Sequence, residues 1–474
     1  MKSKSHILIL AGLAIIAGSI SASAQTDITI TGATAFRQAA VKAIYDAFGG
    51  DAALGNTFNV AHDFPANATN QTSQLIASNR AIFVGQFPNI SGTTIVRTSF
   101  NGSTEGLRAI AGLNNPSGSQ AHITRNLTAY PSVGIPAGIT PDYDTSPNFT
   151  TAAIRPDFSF SDVFQSTSPI NTDVNNQPIT FEPADAKVGV VAFTMLANDG
   201  APARLTNVTV QQYLALLGSA APQPLSLFTG NSTDSTVGVI AVGRNDGSGT
   251  RSTYLAETGF GVSNPVQQWI VTTAGRDVNN DVLTILTLVP ANGAGTGDNA
   301  TGSANNASTL WGNNAVGNGG YSSGSGMRDD FRHKTINGVT LRDGETQGAG
   351  GILYGPNYPV VMLTWISTSD AIAAQAAGAK VLTYNGVGLT IPATSGTPFS
   401  AEDTAKVTNG QYSAWGYQQL YNAPGISSEE AEFRNTLVTT YLDAAITSTA
   451  NGFTLTQMDV SRPDDGQPIL GITP

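Results

Sequence analysis

The chain has 474 residues, with 22 Lys and Arg against 33 Asp and Glu, a net charge of −11 and no cysteine. The acidic balance argues against a nucleic-acid partner. Without cysteine there can be no disulfide and no lipid-modified N-terminal Cys, so stability has to come from core burial, for which the length suffices in two or three domains.

Residues 1–24 read as a secretory signal peptide. Lys2 and Lys4 precede the apolar run Ile7–Gly18, and Ala22-Ser23-Ala24 offers small residues before Gln25. The run is too short and wrongly flanked for a membrane span, and no later run approaches the roughly 20 apolar residues a span needs. The expected product is a soluble protein of the periplasm or medium, starting near Gln25, with no lipid anchor. Loss of Lys2 and Lys4 deepens its charge to −13.

In chain order, "DITITGATAF" (27–36) alternates as a strand and then turns. "FRQAAVKAIYDAF" (36–48) spaces Phe36, Ala40, Ile44 and Phe48 for an amphipathic helix. "SFNGSTEGLRAIAGL" (99–113) predicts a Gly-Ser turn and a short helix with Leu107, Ile110 and Ala111 inward. "KVGVVAFTML" (187–196) is nearly all apolar, as buried parallel strands tend to be. "VTVQQYLALLG" (208–218) reads as a helix, and "VLTILTLVP" and "VVMLTWIST" read as strands. "SSEEAEFRNTLVTTYLDAAITS" (427–448) opens with a Ser cap and early Glu residues, then spaces Phe433, Leu437, Tyr441 and Ile446 helically. Strands alternating with helices predict an α/β architecture. Residues 114–155, rich in Pro and Ser, and 292–326, with ten Gly and seven Asn in 35 positions, read as long surface loops.

The stretch with the most chemistry is "AVGRNDGSGT" (241–250), between the predicted strand "STVGVI" and the predicted helix "RSTYLAETG". It lacks the Lys of a phosphate-binding P-loop and the third glycine of a dinucleotide fingerprint. What remains is a Gly turn with exposed amides, a helix N-terminus and the planar fork of Arg244, a combination that attracts anions. The plainer alternative is a solvated turn in which Arg244 and Asp246 pair with each other.

"TGATAFRQAAVKAIYDAF", "NGSTEGLRAI", "FSFSDVF" and "VGRNDGSGTRSTYL" follow one another in this order, and the series resembles the phosphate-binding receptors of ABC-type phosphate importers. "GSGMRDDF" (324–331) and "YSAWGYQQLY" (412–421) resemble weaker downstream segments of that family. The resemblance implies a two-lobed type II periplasmic-binding-protein fold with two crossovers and a ligand cleft between lobes. Lobe I would take 27–187 plus 412–474, and lobe II 188–411, carrying the 292–326 loop.

It further implies backbone or hydroxyl donors at Phe36 and at Thr34 or Ala35, a donor at Ser103, and Asp162 as acceptor of the proton of hydrogenphosphate. Arg244 would be the cation, held by Asp246, with Gly249 and Thr250 donating at the helix start. Two positions depart from the family. Ala35 stands where Thr is expected, which shifts the hydroxyl to Thr34. Glu105 replaces a small residue, and it either points outward or alters which anion is welcome. The implied function is capture of inorganic phosphate, or a related small oxyanion, by a monomer that delivers it to an ABC-type permease in the inner membrane, without catalysis, metal or cofactor.

Two other classes compete. One is a secreted surface or matrix protein reusing the fold, which suits the acidic, Asn- and Gly-rich loops. The other is a phosphatase-like relative. "GYSSG" (320–324), with Asp329 and His333 near, satisfies a nucleophile-elbow pattern but lacks the buried strand before its Ser. His62, His122 and His333 lack ligand spacing, and "DVNNDVLT" (277–284) lacks the Gly and closing Glu of a calcium loop. "RDDFRHK" (328–334) reads as a solvated face or a cleft mouth.

Overall fold

The computed structural model describes residues 25–63, 71–113, 119–124, 139–140, 150–219, 222–264, 266, 268–271, 286–288, 320–321, 323–332, 335–336, 339–340, 360–394, 396–449 and 451–472. Residues 1–24, read above as a signal peptide, the 277–284 stretch, Ser322, His333 and most of 292–326 lie outside the described residues.

The chain is a mixed α/β protein, and its described residues build a 13-stranded sheet. Its first half holds β1 (Gln25–Gly32), α1 (Arg37–Ala47), β2 (Phe58–His62), α2 (Gln71–Ala77), β3 (Arg80–Gly85), β4 (Thr93–Ser99) and α3 (Ser103–Ile110). There follow β5 (Gln120–Thr124), β6 (Thr150–Ile154) and β7 (Phe158–Ser161). The long β8 (Lys187–Ala197) leads to α4 (Val210–Ser219), β9 (Gly238–Ala241), α5 (Gly249–Glu257), α6 (Gly324–Asp330), β10 (Val360–Ser367), α7 (Thr368–Ala376), β11 (Lys380–Tyr384) and α8 (Ala401–Thr408). β12 (Trp415–Asn422), α9 (Ser428–Thr436) and α10 (Leu442–Thr449) close the fold.

β1 runs parallel to β4 and to β7. β9 runs parallel to β10. Between these two sets lie β8 and β12, paired antiparallel to each other. β8 is long enough to serve both sides: Lys187–Ala192 face β12, while Phe193–Ala197 face β10. β8 is therefore antiparallel to its neighbours, a correction to the parallel strand expected from its apolar sequence. Burial on both faces dictates the composition, whatever the direction of the neighbours.

α1 forms as its periodicity predicts and buries Ala40, Val41, Ile44 and Tyr45. Its core also takes in Phe433, Leu437 and Ile446 of the C-terminal helices, so the end of the chain returns to the first strands. Those helices are joined by a π-helical turn at Leu437–Tyr441. A second core gathers Phe193, Tyr254 and Trp365.

One expectation of a surface loop is overturned, and the reading of 328–334 as a solvated face holds only in part. Within 114–155, β5 and β6 pair as an antiparallel ribbon that places His122 fully buried against Ile30 O and Gln120 O. Within 328–334, Arg328 pairs with Asp329, while Asp330 and Phe331 are buried and the Tyr321 hydroxyl donates to Asp330. Among the described residues no helix is long and apolar enough to cross a membrane.

Candidate functional site

Four of the motifs singled out from the sequence lie at the carboxyl ends of parallel strands, the end at which α/β sheets place ligands. Thr34, Ala35 and Phe36 follow β1, Ser103 follows β4, Asp162 follows β7, and Arg244 to Thr250 follow β9. The loops of the two strand sets touch. Glu105 N donates to Gly247 O at 3.0 Å, and Arg244 Nη1 lies 3.5 Å from Thr34 Oγ1. Gly102 has φ of 126°, and a Cβ there would overlap Gly247 O, so only glycine permits this approach.

Asp162 is the centre. It is 2% exposed; Ser103 Oγ donates to its Oδ1, and its own N–H donates to Ser103 Oγ at 3.1 Å. Burial raises its carboxyl above the ordinary range, opposed by the Ser103 hydroxyl, the Arg244 charge and the Thr250 hydroxyl. Gly249 lies directly beneath it. Ser103, Gly249, Thr250 and Arg244, drawn from both strand sets, thus converge on one carboxylate.

Arg244 is 2% exposed and donates through Nε to Tyr321 O at 3.0 Å. Burial lowers the pKa of its guanidinium, while Asp370 and then Asp162 oppose that shift. Ala35 contributes its carbonyl to Asn451 Nδ2 at 2.9 Å, a structural bond. Phe36 is the N-cap of α1 and packs its ring 5.6 Å from Phe160. Neither α1 nor α3 has a side-chain cap, so their first-turn amides are not satisfied by a capping side chain.

Asp246 does not hold Arg244. Both its carboxylate oxygens are buried without a hydrogen-bond partner. Burial raises its pKa to about 6, and the positive charges acting on it are Arg108 and Arg251. The backbone turn at 245–248 sends successive side chains apart, which the two-residue spacing could not reveal. Glu105 does not point outward either: its Oε2 lies 3.3 Å from Arg108 Nη1, and its Cβ packs on Gly247.

Sequence reasoning missed Asp370, which approaches Arg244 from the end of β10. The available signal was a Ser-x-x-Asp pattern, Ser367 to Asp370, directly after an apolar strand. It also missed Arg37, whose charge is felt at Arg244. Among the described residues no group of three His, Cys, Asp or Glu is placed to hold a metal ion.

No protein-family model matches the chain, and no curated protein matches its sequence. Solved structures do match. An ABC-type phosphate transport receptor from Vibrio cholerae is 11% identical, with 90% of this chain and 99% of that one covered, at a TM-score of 0.37. A protein described as a phosphate ABC transporter substrate-binding protein, from Clostridium perfringens and with bound phosphate, is 12% identical over 91% and 100% of the two chains, at a TM-score of 0.38. At these TM-scores the overlay is loose, and the functional reading rests on the geometry of the site itself.

Proposed function

We propose that this protein captures a small tetrahedral oxyanion, inorganic phosphate first among them, outside the cytoplasm for an ABC-type importer. The observation that carries the reading is the convergence on Asp162 of Ser103, Thr250, Gly249 and Arg244. A buried carboxylate beside an anion site is repulsive unless the ligand brings a proton. Hydrogenphosphate brings one: it donates to Asp162 in place of the Ser103 hydroxyl, which turns to the ligand. Its other oxygens accept from Arg244, Ser103, Thr250 and those first-turn amides of α1 and α3 that have no partner within the fold.

Asp162 and Ser103 belong to 27–187, and Arg244 to Thr250 belong to 188–411. The crossing pair β8 and β12 supports reading these as two lobes that close on the anion. Closure would take several charge-assisted hydrogen bonds out of water, each worth about 1.5–3 kcal/mol. The residues bind and orient; none is set up to form a bond to the ligand.

Calorimetry of the mature protein with phosphate, arsenate and sulfate tests the reading. Phosphate and arsenate, which both carry a proton near neutral pH, should bind, and sulfate should bind far more weakly. Absence of binding for all three would refute it.

A further inference from the structure

Five parallel strands end at the site, and four of them carry the residues described. The fifth, β10, ends at Ser367, and the following turn presents Asp370. Ser367 fixes that carboxylate: its Oγ accepts from Asp370 N at 3.4 Å and donates to Asp370 Oδ2 at 3.0 Å. Gly324, at the start of α6, has both groups on one side: a Cβ on it would overlap Asp370 Oδ2 and stand 3.7 Å from Arg244 Nη1, so carboxylate and guanidinium border the same space.

Asp370 is the foremost negative charge acting on Arg244, ahead of Asp162. It acts equally first on Arg37, at the start of α1, and Arg328 Nη1 stands 3.8 Å from its Oδ1. A buried guanidinium needs a compensating charge, and Asp162 cannot supply it alone if it is to face the ligand. Asp246, two residues from Arg244, has its oxygens unpartnered and its field set by Arg108 and Arg251.

We infer that Asp370, rather than Asp246, is the positioning residue that aims Arg244 at the ligand. The inference rests on reading the site as an anion cradle. Because β9 and β10 are adjacent, the cation and its counter-charge sit just past the ends of two paired strands, Arg244 in the turn after β9 and Asp370 in the first turn of α7. Arg244 is thereby aimed before any ligand arrives, which lowers the ordering cost of binding. The short α6 turn at Gly324 is part of the same device, since any side chain there would push Asp370 away.

The test compares the full mature protein with Asp370→Asn and Asp370→Glu. It uses phosphate calorimetry and the guanidinium Nε–Hε signal of Arg244 in arginine-labelled protein, assigned through Arg244→Lys. Asp370→Asn is expected to weaken phosphate binding at least tenfold and to move the Arg244 signal in the ligand-free protein. Asp370→Glu, which keeps the charge, should recover part of the affinity. Should Asp370→Asn not fold, a moved Arg244 signal in Asp370→Glu supports the inference and an unmoved one overturns it. Wild-type affinity with an unmoved signal in Asp370→Asn overturns it, as does a signal that moves in Asp246→Asn alone. If the wild type binds no oxyanion, the proposed function fails, and the Arg244 signal alone then decides whether Asp370 positions it.

Discussion

Gly249 Cα lies against the carboxylate of Asp162: a methyl group on it would overlap Asp162 Oδ1 and stand 2.5 Å from Ser103 Oγ. The first residue of α5 therefore has to be glycine for the two strand sets to meet. Gly249→Ala is expected to push Asp162 and Ser103 out of register and to weaken phosphate binding by about two orders of magnitude, ~2.7 kcal/mol. Secondary structure should be retained, because alanine favours the helix start it would occupy. Calorimetry alongside circular dichroism checks this, and unchanged affinity would remove Gly249 from the site.

Asp162 and Arg244 should separate in their effects on selectivity. Asp162→Asn removes the charge that a protonless anion meets, so the preference for phosphate over sulfate should shrink. Arg244→Met removes a donor that every oxyanion uses and should weaken both. The comparison is the ratio of the two dissociation constants in each variant, and an unaltered ratio in Asp162→Asn would sink the proton-sharing account.

Asp465 makes stability depend on pH. It is buried, its Oδ2 accepts from Phe164 N at 2.8 Å, and burial pushes its pKa up to about 7. The folded state binds this proton more tightly than the unfolded state, so the contribution is complete below the unfolded value of 3.8 and is lost as pH rises through about 7. Asp157 and Asp246, each raised to about 6 by burial, act in the same sense. His62 and His122, lowered to about 4 by burial, act oppositely: their contribution is present above 6.5 and lost as pH falls through 4. Asp465→Asn should therefore raise the melting temperature at pH 8 more than at pH 5. An equal change at both would contradict the assignment.

The stretch 292–326 has too little apolar sequence to form a core. Replacing Asn299–Val316 by a short Gly/Ser linker should leave phosphate affinity within a few-fold. Lost binding in a folded variant would show that Asn299–Val316 belongs to the site.

What the sequence by itself determined was local. β1, α1, α3, β9, α5 and β10 stand where periodicity and turn residues put them, because a strand, a Gly turn and a helix start are specified over roughly ten neighbouring residues. The ordered motifs likewise named Ser103, Asp162, Arg244, Gly249 and Thr250, which meet at one place. Strand order and direction were decided only in three dimensions. The antiparallel setting of β8, the ribbon of β5 with β6 and the burial of Asp330 depend on partners far along the chain. The exchange of Asp246 for Asp370 beside Arg244 shows the reason most directly. Sequence proximity pairs Arg244 with Asp246, but the turn parts their side chains, while the hydrogen bonds between β9 and β10 bring Asp370 alongside. A charge acts through distance in space, and only the packed sheet sets that distance.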